Sequence, residues 1–248
     1  MSIKIVLVEP ETPGNIGATA RVMKNFDFSD LILINPQTSL TSETYQFAKN
    51  AQDVLERMTI YNSLEEFTRK VSYVVGTTAK TCSDGGPTNV RVAVSSHHQS
   101  LTNLLHFRDD LAILFGRESY GLTNEEINLC DMTIHIPTSE NYRALNLAQA
   151  VAIILYSLHI RRGNLEKEKY RGAKREEKEF LIKWFAKAAS VLGFSERKEE
   201  ILVRRFRNIV GRAFVSGREA HSLLAIFSRT YNRIKRCNEL LKQEDQEK

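Results

Sequence analysis

Over its first 160 residues the chain alternates short apolar runs with helix-length segments, and nothing else constrains its fold as strongly. Ile3–Val8, 30–35, Thr59–Tyr61, 73–76, Leu111–Phe115 and 132–136 read as strands. Between them, 14–25 carries helical spacing at Ile16, Ala20 and Met23. Residues 41–57 read mostly helical with Thr41 as N-cap, Ser63-x-x-Glu66 forms a capping box, and 145–161 is a strongly apolar helix. Strands separated by helices predict an α/β domain: a parallel sheet with helices on both faces. In that architecture ligands bind beyond the carboxyl ends of the strands. Those ends are Glu9-Pro10, Gly76-Thr77-Thr78, Gly116 and Ile136-Pro137. Residues 81–99, with Gly85, Gly86 and Pro87, read as a long loop.

The segment 111–122, LAILFGRESYGL, is the most pointed of these ends. A buried strand stops at Gly116, and a helix starts after Gly121. A glycine at a strand end lets a ligand approach the backbone closely. The spacing of Gly116 and Gly121 is that of a phosphate-binding loop, but such a loop continues with Lys and then Ser or Thr. Here Leu122 precedes Thr123, so ATP would lack its main charge partner. Pro13-Gly-Asn15-Ile-Gly17 lacks the third glycine of a dinucleotide fingerprint, and no acidic residue closes the strand 30–35. That excludes the nucleotide-dependent oxidoreductase reading. Asn15 would cap a tight turn, and Asn146, opening an apolar helix, would satisfy loop backbone groups.

After residue 161 the pattern changes. We divide the chain into an α/β domain over 1–162, a charged linker over 163–178 and a small helical module over 179–248. Phe180, Ile182, Trp184, Phe185, Ala188 and Leu192 mark the module's first helix, and 196–211 and 219–241 its others. Charge divides the same way. Residues 1–159 hold 12 Lys and Arg against 17 Asp and Glu, a net of −5; residues 160–248 hold 23 against 13, a net of +10. The run Arg204, Arg205, Arg207 and Arg212 contains no acid and predicts a nucleic-acid contact through phosphates. The plainer alternative pairs these arginines with Glu196, Glu199 and Glu200. No apolar run approaches the roughly 20 residues of a membrane span. The N-terminus runs directly into a strand, so we expect no signal peptide. Three scattered cysteines, Cys82, Cys130 and Cys237, argue for a reducing, cytoplasmic setting and against a zinc site; the adjacent His97 and His98 point apart, and we expect no metal.

Three segments should converge at the strand ends: Pro13-x-Asn15-x-Gly17-x-x-x-Arg21, Phe115-Gly116-x-Glu118-x-x-Gly121-Leu122, and Ile136-Pro137 with Leu145-Asn146-Leu147. Together, and in this order, they resemble the SpoU/TrmH branch of the SPOUT RNA methyltransferases. The match covers about residues 3–160. The basic extension, with Arg204-Arg205-x-Arg207 and Leu223-Leu224, looks like the TrmJ-type members. The resemblance implies a trefoil knot, in which the final segment threads a loop before its helix, and a homodimer. It implies S-adenosyl-L-methionine bound in a bent form against Thr77, Thr78, Gly116, Glu118, Ile136, Ala144 and Leu145, with Ile136 and Leu145 about the adenine.

The implied reaction is methylation of a tRNA ribose 2′-hydroxyl at nucleotide 32 of the anticodon loop. Arg21 is the implied catalytic residue, as general base or as the group orienting hydroxyl and phosphate. Asn15 would fix Arg21 or the ribose, and Glu118 would orient the arginine or a cofactor-loop group. The alternatives are another tRNA or rRNA ribose, or a non-catalytic RNA-binding protein that keeps the fold. The chain departs from the family at Ala144, where many members carry a serine credited with helping to position the substrate.

Overall fold

A computed structural model describes residues 3–79, 93–95, 100–106, 109–162 and 172–246. It divides into two compact units, residues 1–169 and 170–248.

The first unit is built on a seven-stranded parallel sheet. Its strands are β1 Ile3–Val8, β2 Leu31–Ile34, β3 Thr59–Tyr61, β4 Tyr73–Thr78, β5 Ala93–Ser95, β6 Leu111–Phe115 and β7 Met132–His135. Their order is β3-β2-β1-β6-β4-β7-β5. Ile5 sits between Leu31 and Ile113, and Val75 between Ile113 and Met132. Six of the strands are those expected. The seventh, β5, falls inside the stretch read as a loop; three residues, Ala-Val-Ser, are too few for a period to register. The rest of that stretch, with Cys82, Gly85, Gly86, Pro87, His97 and His98, lies outside the described residues.

Both faces are covered. Val6, Val8, Ile32, Ile34, Val74, Ala112 and Leu114 form one core with Leu64 and Phe67 of α4 (Leu64–Thr68) and Ile127 of α6 (Asn124–Asn128). The pleat sends the alternate residues Ile5, Leu7, Leu31, Leu33, Ile113 and Phe115 to the other face, each at most 1% exposed. There α1 (Pro13–Asn25) packs on α2 (Ser42–Ala48) and α7 (Leu147–Arg162), and α7 on α5 (Ser100–His106). Burial on both sides explains why these strands read as continuous apolar runs. The segment 41–57 is two helices, α2 and α3 (Gln52–Glu56), with Thr41 as the N-cap expected. Gly17 sets the α1–α2 crossing, because a Cβ there would lie 2.0 Å from the Thr44 carbonyl oxygen.

The second unit contains α8 (Arg175–Ser190), α9 (Glu196–Arg212) and α10 (Gly217–Gln246). Helix α8 starts inside the segment read as linker. Its charges serve the helix start: the Glu177 carboxylate accepts the Lys174 N–H at 2.7 Å, and Lys178 is buried. The linker's residues 163–171 lie outside the described residues. Leu181, Val210 and Ala220 centre the core, with Phe185 stacked on Phe206 at 4.1 Å between centroids. Among the described residues no helix is long and apolar enough to cross a membrane.

Candidate active site

The strand β6 ends at Gly116, and the chain turns back on itself at once. The Gly121 N–H donates to the Arg117 carbonyl at 2.9 Å, closing a one-turn loop. A Cβ on Gly116 would lie 2.2 Å from the Gly121 carbonyl carbon and 2.3 Å from the Leu122 nitrogen. Its own loop therefore requires Gly116, where the sequence pointed only to a place for a ligand to approach the backbone. Gly121 has φ +74°, a conformation that favours glycine. The following helix α6 is fixed by Thr123 and Glu126: the Thr123 N–H donates to Glu126 Oε2 at 2.8 Å, and the Glu126 N–H to the Thr123 hydroxyl at 3.2 Å.

Inside that loop Arg117 is buried between two carboxylates. Its Nε donates to Glu9 Oε2 at 2.8 Å, and its two terminal nitrogens to the two oxygens of Glu126 at 3.0 Å each. Burial disfavours the charged guanidinium, yet the Glu126 and Glu9 carboxylates hold its pKa above the ordinary arginine value. The same hydrogen bond from Arg117 lowers the pKa of Glu9. Sequence reasoning missed Glu9, Arg117 and Glu126. The Thr123-x-x-Glu126 spacing was the available signal, since it has the capping-box form already recognised at Ser63.

A second set of bonds ties the loop to α1 and α7. Glu118 accepts the N–H groups of Glu11 and Thr12 at 3.0 and 3.2 Å, placing its charge at the positive end of α1. It also accepts Asn15 Nδ2 at 2.9 Å. In the other direction Glu11 accepts the Ser119 hydroxyl at 2.7 Å and its N–H at 3.2 Å. Asn15 Oδ1 accepts Asn146 Nδ2 at 2.9 Å, and Asn146 Oδ1 accepts the Ala148 N–H at 2.9 Å, capping α7. Asn146 was expected to satisfy loop backbone groups; the backbone group it satisfies belongs to the first turn of α7. The tight-turn role read for Asn15 is corrected: it lies in the first turn of α1 and bridges two other segments. The three motif segments thus meet in one relay, Glu118–Asn15–Asn146, that joins β6, α1 and α7. Each bond to the carboxylate contributes about 1.5–3 kcal/mol net.

Beside the relay opens a pocket of about 280 Å³. Thr77, Thr78, Gly116, Glu118, Ile136, Ala144 and Leu145, all expected around one ligand, line it. The Thr77 hydroxyl is already used, donating to the Leu114 carbonyl at 2.9 Å. Arg143 and Tyr120 also border the pocket. Arg21 does not. It is exposed on α1 and has no hydrogen-bond or ion-pair partner among the described residues. Neither Asn15 nor Glu118 holds it, which leaves the other role suggested for each, the ribose for Asn15 and a cofactor-loop group for Glu118.

The basic run on α9 is also divided. Arg207 makes a two-pronged ion pair with Glu179 of α8, with Nη2 2.9 Å from Oε2. Burial works against the Glu179 carboxylate, but the Arg207 hydrogen bonds outweigh it and lower its pKa. This partner is none of the three glutamates weighed from the sequence. Arg205 and Arg212 are exposed; Arg212 Nε donates to the Asn208 carbonyl at 3.2 Å, and Arg204 is half-buried. Among the described residues no group of His, Cys, Asp and Glu could hold a metal ion.

A parallel sheet with a ligand pocket at its carboxyl end, closed by a Gly-x-Glu-x-x-Gly loop, defines the class. The chain belongs to the SpoU rRNA Methylase family, whose pattern it matches over residues 2–156. It is similar to the tRNA (cytidine-2′-O-)-methyltransferase TrmJ of Methanocaldococcus jannaschii, 35% identical over 228 residues, 91% of this chain and 98% of that one. It is also similar to the tRNA (cytidine/uridine/adenosine-2′-O-)-methyltransferase TrmJ of Pseudomonas aeruginosa, 31% identical over 244 residues, 92% and 93% of the two chains. Among solved structures it resembles TrmJ from Z. mobilis ZM4, with a TM-score of 0.66 at 25% identity over 92% of this chain and 99% of that one.

Proposed function

We propose that this protein is an S-adenosyl-L-methionine-dependent methyltransferase of the tRNA ribose 2′-hydroxyl, acting at nucleotide 32 of the anticodon loop. The observation that carries it is the Glu118–Asn15–Asn146 relay at the rim of a pocket that gathers all seven expected cofactor residues. The pocket fits the cofactor chemically. Ile136 and Leu145 line it with apolar side chains that suit an adenine, and Gly116 and Ala144 bring main chain to its wall. At about 280 Å³ it stands just below the roughly 300–1,000 Å³ range of small-molecule sites. When bound, the cofactor supplies a methyl group activated on a sulfonium.

The chain's own residues position the other reactant. A ribose hydroxyl must be oriented and must lose its proton. A guanidinium keeps its proton and is a poor base, so we assign Arg21 to holding the hydroxyl and the neighbouring phosphate while the hydroxyl proton passes to water. Its exposure and lack of a partner among the described residues leave it available for RNA. Asn15 and Glu118 act on the site's shape, by fixing the β6 loop against α1. The reading carries a trefoil knot in the first unit and a homodimer. Tyr156 and Ile160 on α7, 55% and 48% exposed, give the dimer an apolar face. The second unit contacts tRNA phosphates through Arg205 and Arg212, and the protein works in the cytoplasm.

The test is methyl transfer to unmodified tRNA, with mapping of the modified nucleotide. Arg21→Ala is expected to abolish transfer while leaving cofactor affinity within a few-fold. Wild-type turnover by Arg21→Ala at saturating tRNA would end the assignment.

A further inference from the structure

The second unit carries a feature that phosphate-binding arginines do not explain. Along the seam of α8 and α10 runs a line of three aromatic rings. Phe180 meets Trp184 edge-on at 6.4 Å between centroids, and Trp184 meets Tyr231 edge-on at 6.0 Å. This line is separate from the packed Phe185–Phe206–Phe227 core. Phe180 is 49% exposed, and Trp184 and Tyr231 are half-buried. The Lys187 amine, itself exposed, lies 4.6 Å from the Trp184 ring centroid and 6.0 Å from that of Tyr231. Lys183, one helical turn from Phe180 and Lys187, is exposed as well. Beside Phe180 opens a cavity of about 260 Å³, floored by Ala220 and Leu224 and bordered by Glu176, Glu177 and His221.

We infer that this strip, Phe180, Trp184 and Tyr231 with Lys187, is a stacking platform for unpaired bases of the tRNA. The inference rests on the tRNA reading above. An exposed ring, backed by two half-buried rings and flanked by lysines, matches what single-stranded nucleic acid requires: a ring face for a base and cations for the backbone. The charge fits, because the C-terminal segment holds a net of +10. Phe180 offers the exposed ring; Trp184 and Tyr231 brace it. Lys187 stands seven residues further along α8, about 10 Å, and turns from the indole to a phosphate when RNA arrives. The platform is distinct from Arg205 and Arg212, which carry charge without rings.

Trp184 is the chain's single tryptophan, so its emission reports on this strip alone. The full-length protein is titrated with unmodified tRNA while binding is followed in parallel by filter retention. Emission should change with the same midpoint as binding. Phe180→Ala should weaken binding about 5- to 150-fold, the loss of one stacked base. Lys187→Gln should lower the salt slope by about 0.7, one single-strand phosphate contact. Both changes are at exposed side chains, and far-UV circular dichroism checks that the helices remain. If tRNA binds and is methylated while Trp184 emission stays constant, or both variants bind as wild type, the platform is refuted and the tRNA function stands. If tRNA does not bind at all, platform and function fail together.

Discussion

Replacing Arg117 by methionine tests whether the buried Glu9–Arg117–Glu126 arrangement fixes the site loop. Methionine keeps most of the side-chain length but removes four donated hydrogen bonds, to Glu9, to both oxygens of Glu126 and to the Gly121 carbonyl. Breaking a fully buried pair from one side costs about 3–5 kcal/mol, because the remaining charge is stranded. Here the stranded side chains are 28% and 14% exposed, so water reaches them in part. We therefore expect a loss of about 2–4 kcal/mol. For a unit of this size that lowers the first unit's Tm by about 5–12 °C, measured by circular dichroism. Adding Glu126→Gln removes one stranded charge and should recover about 1 kcal/mol, a coupling read from the double-mutant cycle. Arg117→Met melting within about 1 °C of wild type, or strict additivity in the cycle, would refute the reasoning.

The remaining predictions address the loop, its acid sensitivity and the second unit. Gly116→Ala forces a Cβ to 2.2 Å from backbone; we expect a loss of about 3 kcal/mol or more and no measurable S-adenosylmethionine binding by calorimetry, while Gly121→Ala, strained only by its φ, costs about 1–3 kcal/mol. Glu9 and Glu179 have lowered pKa values in the fold, so their stabilisation is full above the ordinary carboxyl value of 4.5 and is lost as pH falls through the folded values. Melting followed from pH 7 to pH 3 should show a decline confined to the acid side, shallower in Glu9→Gln. Arg207→Gln should cost about 1 kcal/mol and leave the salt slope of tRNA binding unchanged, whereas Arg205→Gln with Arg212→Gln should flatten it by up to two contacts.

The strands and the three converging segments were legible because each is a local pattern. Apolar runs of five or six residues, such as Ile3–Val8 and Leu111–Phe115, declare a sheet buried on both faces. Of the relay's members, Asn146 was legible as a residue type out of place, an asparagine opening an apolar helix, whereas Glu118 came only with the family resemblance. Their partners were not legible. Glu118 meets residues more than 100 positions away in sequence, and no local period encodes which N–H it accepts. The loop contact at Gly116 was hidden for the same reason. A glycine at a strand end signals close approach, but whether a ligand or the chain itself approaches depends on where residues 117–121 go. Arg207 was misread because its partner, Glu179, lies on another helix, 28 residues earlier.

Two kinds of polar residue therefore divide the labour in this chain. In the first unit Glu9, Glu11, Arg117, Glu118, Glu126 and the asparagines at 15 and 146 are bonded to one another or to helix ends. They are committed to shape, and the unit's net negative charge gives it no general attraction for a polyanion. Arg21 is one of several cations left exposed there, and it stands on a helix whose start is locked into the relay. On the proposed reading the relay sets where α1 presents Arg21 to the RNA. On that same reading the basic C-terminal segment supplies the charge that draws the RNA in. Affinity for tRNA should thus reside mainly in the second unit, and the outcome of binding in the first.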